Sequence, residues 1–149
     1  MTDPTLYDRD FYAWANEQAA LLRAGKLSVA DIEHIAEEIE SMGRSEKREL
    51  VSRLEILLLH LLKWQFQPER RGTSWEVSIT NSRDQIADHL FDNPSLKTRL
   101  SEAIETAYRR ARGDARAETG LVASTFPLTC PWEFSQIMDG DFWPGDGAL

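Results

Sequence analysis

The segment from Leu50 to Trp64 places the strongest constraint on the fold, because its apolar residues recur with a helical period and nearly surround the axis. One broad arc consists of Leu50, Val51, Leu54, Leu57, Leu58, Leu61, Leu62 and Trp64, and the opposite side carries Ile56, Leu59 and Phe66. A helix that is apolar on nearly all sides is buried against several neighbours. The pattern therefore predicts a central helix from about Ser45 to Gln67, stopped by Pro68.

Four further segments also have helical periods, and their capping residues set the predicted limits. These limits are Asp8 to Gly25, Ser28 to Gly43, Ser74 to the residue before Asn93, and Pro94 to Thr119 followed by Gly120. Alanines at 103, 107, 111 and 115 allow another helix to approach the last of these segments closely. Together with the central helix, the segments predict an all-α bundle of about five helices over residues 1–120.

The chain changes character after Gly120. The last 29 residues contain three of the six prolines and five of the fourteen aromatic residues, whereas disordered tails are poor in aromatic residues. We therefore expect an ordered strap over residues 121–144, with a short helix after Cys130 and Pro131, and a free tail at 145–149. No β-period, repeat or linker indicates a second domain, so residues 1–149 are predicted to form a single helical domain.

Composition narrows the class of protein further. Among 149 residues, 25 are acidic and 17 are Lys or Arg, which gives a formal net charge of −8. This acid excess argues against general binding to the DNA backbone. The single cysteine excludes an internal disulfide and a multi-cysteine zinc site, and no apolar run reaches the ~18 residues of a membrane span. A cytoplasmic location without membrane attachment is therefore expected.

Several stretches of the sequence resemble a known bacterial family. They are YDRDFYAWANEQAALLRAGKL, IAEEIESMGRSEKREL, HLLKWQFQPERRGTSW, PSL, ETG, FPLTCPW and DFWP. On these stretches the chain resembles number twenty-nine in the domain-of-unknown-function series, over nearly its whole length. The resemblance implies an all-helical, cytoplasmic bacterial protein and no particular activity. His34 stands where the family pattern usually has asparagine.

A basic and aromatic corner is the leading candidate for a binding site. This basic corner consists of Lys63, Arg70, Arg71 and Trp75, at the turn that follows the central helix. Residues 43–75 carry a net charge of +3, whereas residues 1–42 carry −6, and a helix N-terminus also favours anions. The sequence therefore favours a non-enzymatic interaction module that binds an acidic protein segment or another anionic partner at Arg70 and Arg71. The open alternative is that these side chains brace the corner internally.

An acidic flank provides a second, enzymatic hypothesis. Glu33, Glu37 and Glu40 share one side of the predicted second helix, since residues three and four apart are neighbours. His60 lies at the edge of the apolar arc and needs a hydrogen-bond partner there. Convergence of these four residues would support acid/base chemistry or weak metal binding. The alternatives are a solvated flank and a structural histidine. Metal sites in helical bundles use Glu-x-x-His motifs, whereas the residues three before His60 and His89 are the apolar Leu57 and Ile86.

RNA binding and self-association are the remaining hypotheses. RNA would use Arg70, Arg71 and Trp75 together with the arginines of the fifth helix, which are Arg109, Arg112 and Arg116. A homodimer would use the alanine row or the strap. No cofactor and no firm metal site are predicted, and an unknown protein is the expected partner.

Overall fold

The computed structural model describes residues 6–145, which are mostly helical and contain no strand. Its α-helices are α1 (Leu6–Arg9), α2 (Phe11–Arg23), α3 (Ile32–Phe66), α4 (Thr73–Asp92), α5 (Leu100–Thr119) and α6 (Phe134–Met138). Short 3-10 helices occupy Leu27–Val29, Pro68–Arg70, Pro94–Arg99 and Ala123–Thr125. The all-α class and the short helix after Pro131 are thus confirmed. Except for Gly145, the predicted free tail lies outside the described residues.

Within α3 the chain divides into two compact units, the first ending at Ser45 and the second beginning at Glu46. The single domain over residues 1–149 stays a prediction. Of the helices in residues 6–145, none combines the length and apolar character that a membrane crossing requires.

Helix α3 is the main departure from the sequence expectation, which placed a break at Gly43. The structure has one uninterrupted helix of 35 residues. Gly43 lacks the positive φ that Gly120 adopts at the end of α5 (73°), and an interior glycine costs a helix only about 1 kcal/mol. Arg44, which follows Gly43, pairs with Glu37 (3.0 Å) and Glu40 (3.7 Å), which precede it. These ion pairs span Gly43 and support a continuous helix there.

Other helix limits differ from the predicted ones by a few residues. The N-cap of α2 is Asp10 instead of Asp8, α3 begins at Ile32 instead of Ser28, α4 at Thr73 instead of Ser74, and α5 at Leu100 instead of Pro94. The first difference arises because Asp10 accepts a hydrogen bond from the backbone N–H of Ala13 (3.1 Å). The second and fourth arise because the expected first turns are 3-10 helices, which are common next to α-helix N-termini.

In the first unit, an aromatic cluster surrounds one carboxylate. The ring of Tyr7 stacks on His34 (3.9 Å between centroids) and meets Trp14 edge-on (4.8 Å). Asp31 Oδ2 accepts a hydrogen bond from Trp14 Nε1 (3.0 Å) and lies 2.7 Å from His34 Nδ1, while its backbone N–H donates to Gln18 (2.7 Å). Desolvation alone would raise the pKa of Asp31, but these side-chain hydrogen bonds hold that pKa below its usual value. Asp31 therefore fixes α2 against the start of α3, and the ring of Tyr7 joins α1 to the same cluster.

The second unit contains the large apolar core, with the second half of α3 at its centre. Completely buried there are Leu50, Leu54, Leu57, Leu58, Leu61 and Leu62 of α3, Ile79 and Ile86 of α4, and Ala107, Ala111 and Ala115 of α5. The small alanine side chains let α5 pack closely in this core. The alanine row is therefore an interior surface of the unit.

The strap after α5 is held by arginine side chains that donate to its backbone carbonyls. Arg83 of α4 donates to Ile137 (2.8 Å) and Phe142 (2.7 Å), and Arg112 of α5 donates to Ala123 (2.8 Å). These bonds satisfy carbonyls in a segment that has little regular secondary structure. Arg112, one of the fifth-helix arginines that the sequence offered to RNA, therefore directs its guanidinium group towards the strap.

Gly43 and Gly120 provide a matched test of the continuous helix. A Cβ atom at either position meets nothing within 4 Å, but only Gly120 has a positive φ. We expect Gly43→Ala to raise the free energy of unfolding by about 0.5–1 kcal/mol, because alanine loses less backbone entropy in a helix. Gly120→Ala should lower it by about 1 kcal/mol. Urea denaturation followed by circular dichroism measures both, and a destabilised Gly43→Ala variant would contradict a helix that runs through this position.

Candidate functional site

Two members of the basic corner, Lys63 and Trp75, are engaged with other parts of the second unit. The Nζ atom of the buried Lys63 pairs with Glu118 of α5 (3.1 Å) and lies 5.1 Å from the ring centroid of Trp75. A cation over an aromatic face is a stabilising contact in its own right. The lysine and the aromatic face that the sequence offered to a partner therefore contact each other.

Arg71 connects the end of α3 to the end of the strap. Its Nε donates to the carbonyl of Trp64 (2.7 Å), an Nη donates to Pro144 (3.3 Å), and the guanidinium carbon lies 5.1 Å from the Trp64 ring. A Cβ atom on Gly145 would lie only 2.7 Å from Arg71 Nη2, so the strap packs tightly over it. Arg70 is exposed. Binding of an anionic partner at this corner stays a prediction.

Single substitutions distinguish the structural roles of Arg70 and Arg71. Arg71→Ala should lower the free energy of unfolding by about 1–3 kcal/mol, because it leaves the carbonyls of Trp64 and Pro144 without this donor. Arg70→Ala should change it by less than about 0.5 kcal/mol, as is usual for an exposed side chain. Urea denaturation of the two single variants provides the comparison. Equal stabilities would contradict the structural role of Arg71.

The acidic flank and His60 lie on the same helix, α3, but belong to different units of the chain. Glu33, Glu37 and Glu40 are exposed in the first unit, and the latter two pair with Arg44 of the same helix. In the second unit, His60 Nδ1–H donates to the carbonyl of Ile56 (2.8 Å). Burial is the main cause that lowers the pKa of His60, and this hydrogen bond opposes the shift. The enzymatic hypothesis for these four residues stays a prediction.

A carboxyl pair joins α3 to α5 in the second unit. Glu55 shares a hydrogen bond with Asp114. Desolvation, followed by this hydrogen bond and by repulsion from Asp114, raises the pKa of Glu55 to about 7, while the charge of Arg110 opposes the shift. Perturbed carboxyl groups occur at functional sites and also in purely structural networks.

The carboxyl pair predicts a pH-dependent stability. Because the pKa of Glu55 is higher in the folded chain, its stabilising contribution is greatest below about pH 4.5 and is lost as the pH rises through about 7. Glu55→Gln should therefore be more stable than the wild type at pH 8, by about 1 kcal/mol after allowing for solvent screening, and nearly equal at pH 4. Denaturation at the two pH values measures this, with exposed Glu105→Gln as the control. A difference that does not change with pH would contradict the assignment.

A second titratable group, Glu46, Glu49 and His89, was missed by the sequence analysis. One ligand atom from each of these residues lies within 4.8 Å of the other two. Glu46 and Glu49 are one helical turn apart on α3, and His89 comes from α4. The signal in the sequence is the Glu-x-x-Glu spacing of Glu46 and Glu49. This spacing does not indicate which residue of α4 faces the two glutamates.

This group lines an open depression of about 460 Å³. The wall also contains Arg53, Gln85, Asp88, Asp92 and Asn93. With Glu46 and Glu49, the depression is therefore lined by four carboxylates and one guanidinium group. A smaller cavity of about 170 Å³ lies between the end of α3 and the strap, lined by residues that include Gln65, Trp132 and Phe142. It is smaller than the ~300–1,000 Å³ of typical ligand sites. The depression is therefore the better candidate for a bound ligand.

The first half of α3 carries an exposed apolar stripe. It consists of Ile32 (51% exposed), Ala36, Ile39 (59%) and Met42 (62%). These residues follow the spacing i, i+4, i+7 and i+10, which places them on one face of the helix. Glu33, Glu37 and Glu40 border this face on one side.

Comparison with known proteins adds a family and no activity. The model of the family described as domain of unknown function DUF29 matches residues 6–143, which confirms the resemblance seen in the sequence motifs. No curated protein and no solved structure matches the chain. The function must therefore be inferred from the geometry of the chain itself.

Proposed function

The chain belongs to the DUF29 family, whose function is unknown, and we propose that it is a helical protein-interaction module. Its binding surface is the exposed apolar stripe of α3, and its partner is a basic amphipathic helix. The observation that carries the proposal is the exposure of Ile32, Ile39 and Met42, each more than half accessible to solvent. Clustered exposed apolar residues on one face are characteristic of interaction sites.

The contrast within α3 shows that this exposure is local. Ile32 and Leu50 are eighteen residues apart, which is five helical turns, so they project from the same side of the helix. In the second half of the helix that side is completely buried, with Leu50, Leu54 and Leu57 inaccessible. In the first half the same side is open. A partner helix would use anchors at the same spacing to cover it.

The charge beside the stripe determines the chemistry of the partner. Glu33, Glu37 and Glu40 border the apolar face, and Arg44 is the basic residue nearby. Two copies paired through this stripe would bring acidic flanks together, which is unfavourable. Lysine or arginine at the flanking positions of a partner helix would instead complement them.

The sequence-based alternative, an anionic partner at the basic corner, has weaker support. Lys63 and Arg71 are engaged internally, so Arg70 is the exposed member of the three cations. The RNA hypothesis depends on the same corner and also on Arg112, which faces the strap. Both hypotheses remain predictions without a preformed site to support them.

Binding of designed peptides tests the proposal. The probes are a labelled helical peptide with a leucine seam and lysine flanks, a second peptide with glutamate flanks, and a scrambled lysine peptide. We expect the lysine-flanked helix to bind best, and Ile39→Ser with Met42→Ser to weaken it at least tenfold. Fluorescence anisotropy measures affinity, and increasing salt should weaken binding because the flanking charges are exposed.

The matched control is Ile56→Ser, a similarly exposed isoleucine (48%) in the second half of the same helix. It should bind the lysine-flanked peptide as the wild type does. Equal affinity for all three peptides, or an unchanged affinity in the double variant, would overturn the proposal. Self-association of the wild type that the double variant loses would also overturn it, by identifying a second copy as the occupant.

A further inference from the structure

We infer that Glu46, Glu49 and His89 form a binding site for one divalent transition-metal ion, with Zn²⁺ as the best match. The site joins the middle of α3 to α4 within the second unit and is independent of the exposed apolar stripe. Two carboxylates and one imidazole form a nitrogen and oxygen donor set of the kind found at zinc sites with three protein ligands.

The orientation of His89 is the first observation that supports the site. The residue is only 8% exposed, and its Nε2–H donates to the backbone carbonyl of Glu46 (2.8 Å). A carbonyl can only accept, so in the neutral imidazole this bond selects the tautomer whose Nδ1 carries the free lone pair. Metal-binding histidines usually donate their other ring N–H to such a group, which fixes the ring.

The surroundings of Nδ1 provide the second observation. The nearest carboxylate oxygen is Glu49 Oε2 at 3.8 Å, too far for a hydrogen bond. No hydrogen bond to this nitrogen occurs among residues 6–145. The ring of His89 therefore holds Nδ1 towards a carboxylate to which it is not hydrogen-bonded. An ion between them would satisfy both groups.

Arg53 prepares Glu49 for this role. Its Nη2 and Nε both donate to Glu49 Oε1, at 2.6 and 3.2 Å. This fork holds the carboxylate and leaves Oε2, the oxygen that faces His89, available. The hydrogen bond from Arg53, together with the charge of the guanidinium group, holds the pKa of Glu49 below its usual value although desolvation opposes the shift, so this ligand is ionised at neutral pH.

The distances suit a small ion after modest side-chain movement. Zinc bonds of ~2.0–2.2 Å at a tetrahedral angle place two ligand atoms about 3.4 Å apart. The observed separation is 3.8 Å from Glu49 Oε2 to the ligand atom His89 Nδ1, whereas Glu46 Oε2 lies 3.6 Å from the other ring nitrogen, Nε2, and must rotate to reach an ion at Nδ1. Both glutamate side chains are about half exposed, so they can rotate towards the ion. Asp88 and Asp92 line the same depression and add negative charge.

Titration of the metal-free protein with Zn²⁺ in a calorimeter tests the inference. We expect one ion per chain, and a characteristic visible spectrum when Co²⁺ is used instead. Glu49→Gln should weaken binding at least tenfold, because the amide still accepts from Arg53 but lacks the ligand charge. His89→Gln should weaken it similarly, and circular dichroism checks that both variants are folded. Zn²⁺ should also raise the melting temperature of the wild type, since it binds only the folded site.

Two control variants separate this site from incidental surface binding. Glu105→Gln removes an exposed carboxylate of α5, and His34→Gln removes an imidazole that pairs with a single carboxylate in the first unit. Both should bind Zn²⁺ as the wild type does. Absence of saturable binding, or equal affinity in the wild type and Glu49→Gln, would overturn the site. A loss of affinity in His34→Gln that matches the loss in His89→Gln would also overturn it.

Discussion

Burial of the second half of α3 is the constraint on which the second unit depends. Its leucines are apolar on almost every side, so this segment is stable only when other elements cover it. The completely buried residues of α4 and α5 are isoleucines and alanines, and the alanines let α5 approach closely. In the first half of the same helix, the apolar stripe is exposed among the described residues 6–145. The proposed binding surface and the buried core thus lie on two halves of one helix.

Three arginines hold the strap and a helix end in place. Arg71, Arg83 and Arg112 each donate to carbonyl groups of the strap or of a helix end. A strap without a regular hydrogen-bond ladder needs such donors, and a guanidinium group can reach two carbonyls at once. Arg71 and Arg112, which the sequence offered to an external anion, therefore bind carbonyl groups within the protein.

The candidate sites differ in how directly the sequence indicates them. The sequence shows the stripe as an apolar helix face bordered by glutamates, but it does not show that this face is exposed. The group formed by Glu46, Glu49 and His89 could not be seen, because it depends on the register of α4 against α3. Lys63 presents the opposite case. Its charge and position suggested binding, but its proximity to Glu118 across the core gives it a structural partner.

The sequence by itself determined the helical class, the central position of the leucine-rich segment and the ordered strap. These depend on local periodicity, capping and composition, which neighbouring residues specify among themselves. Tertiary structure decided that the helix continues through Gly43, that the arginines face carbonyls, and which carboxylates surround His89. Such outcomes depend on contacts between residues distant in the chain, and small shifts in helix register change them completely.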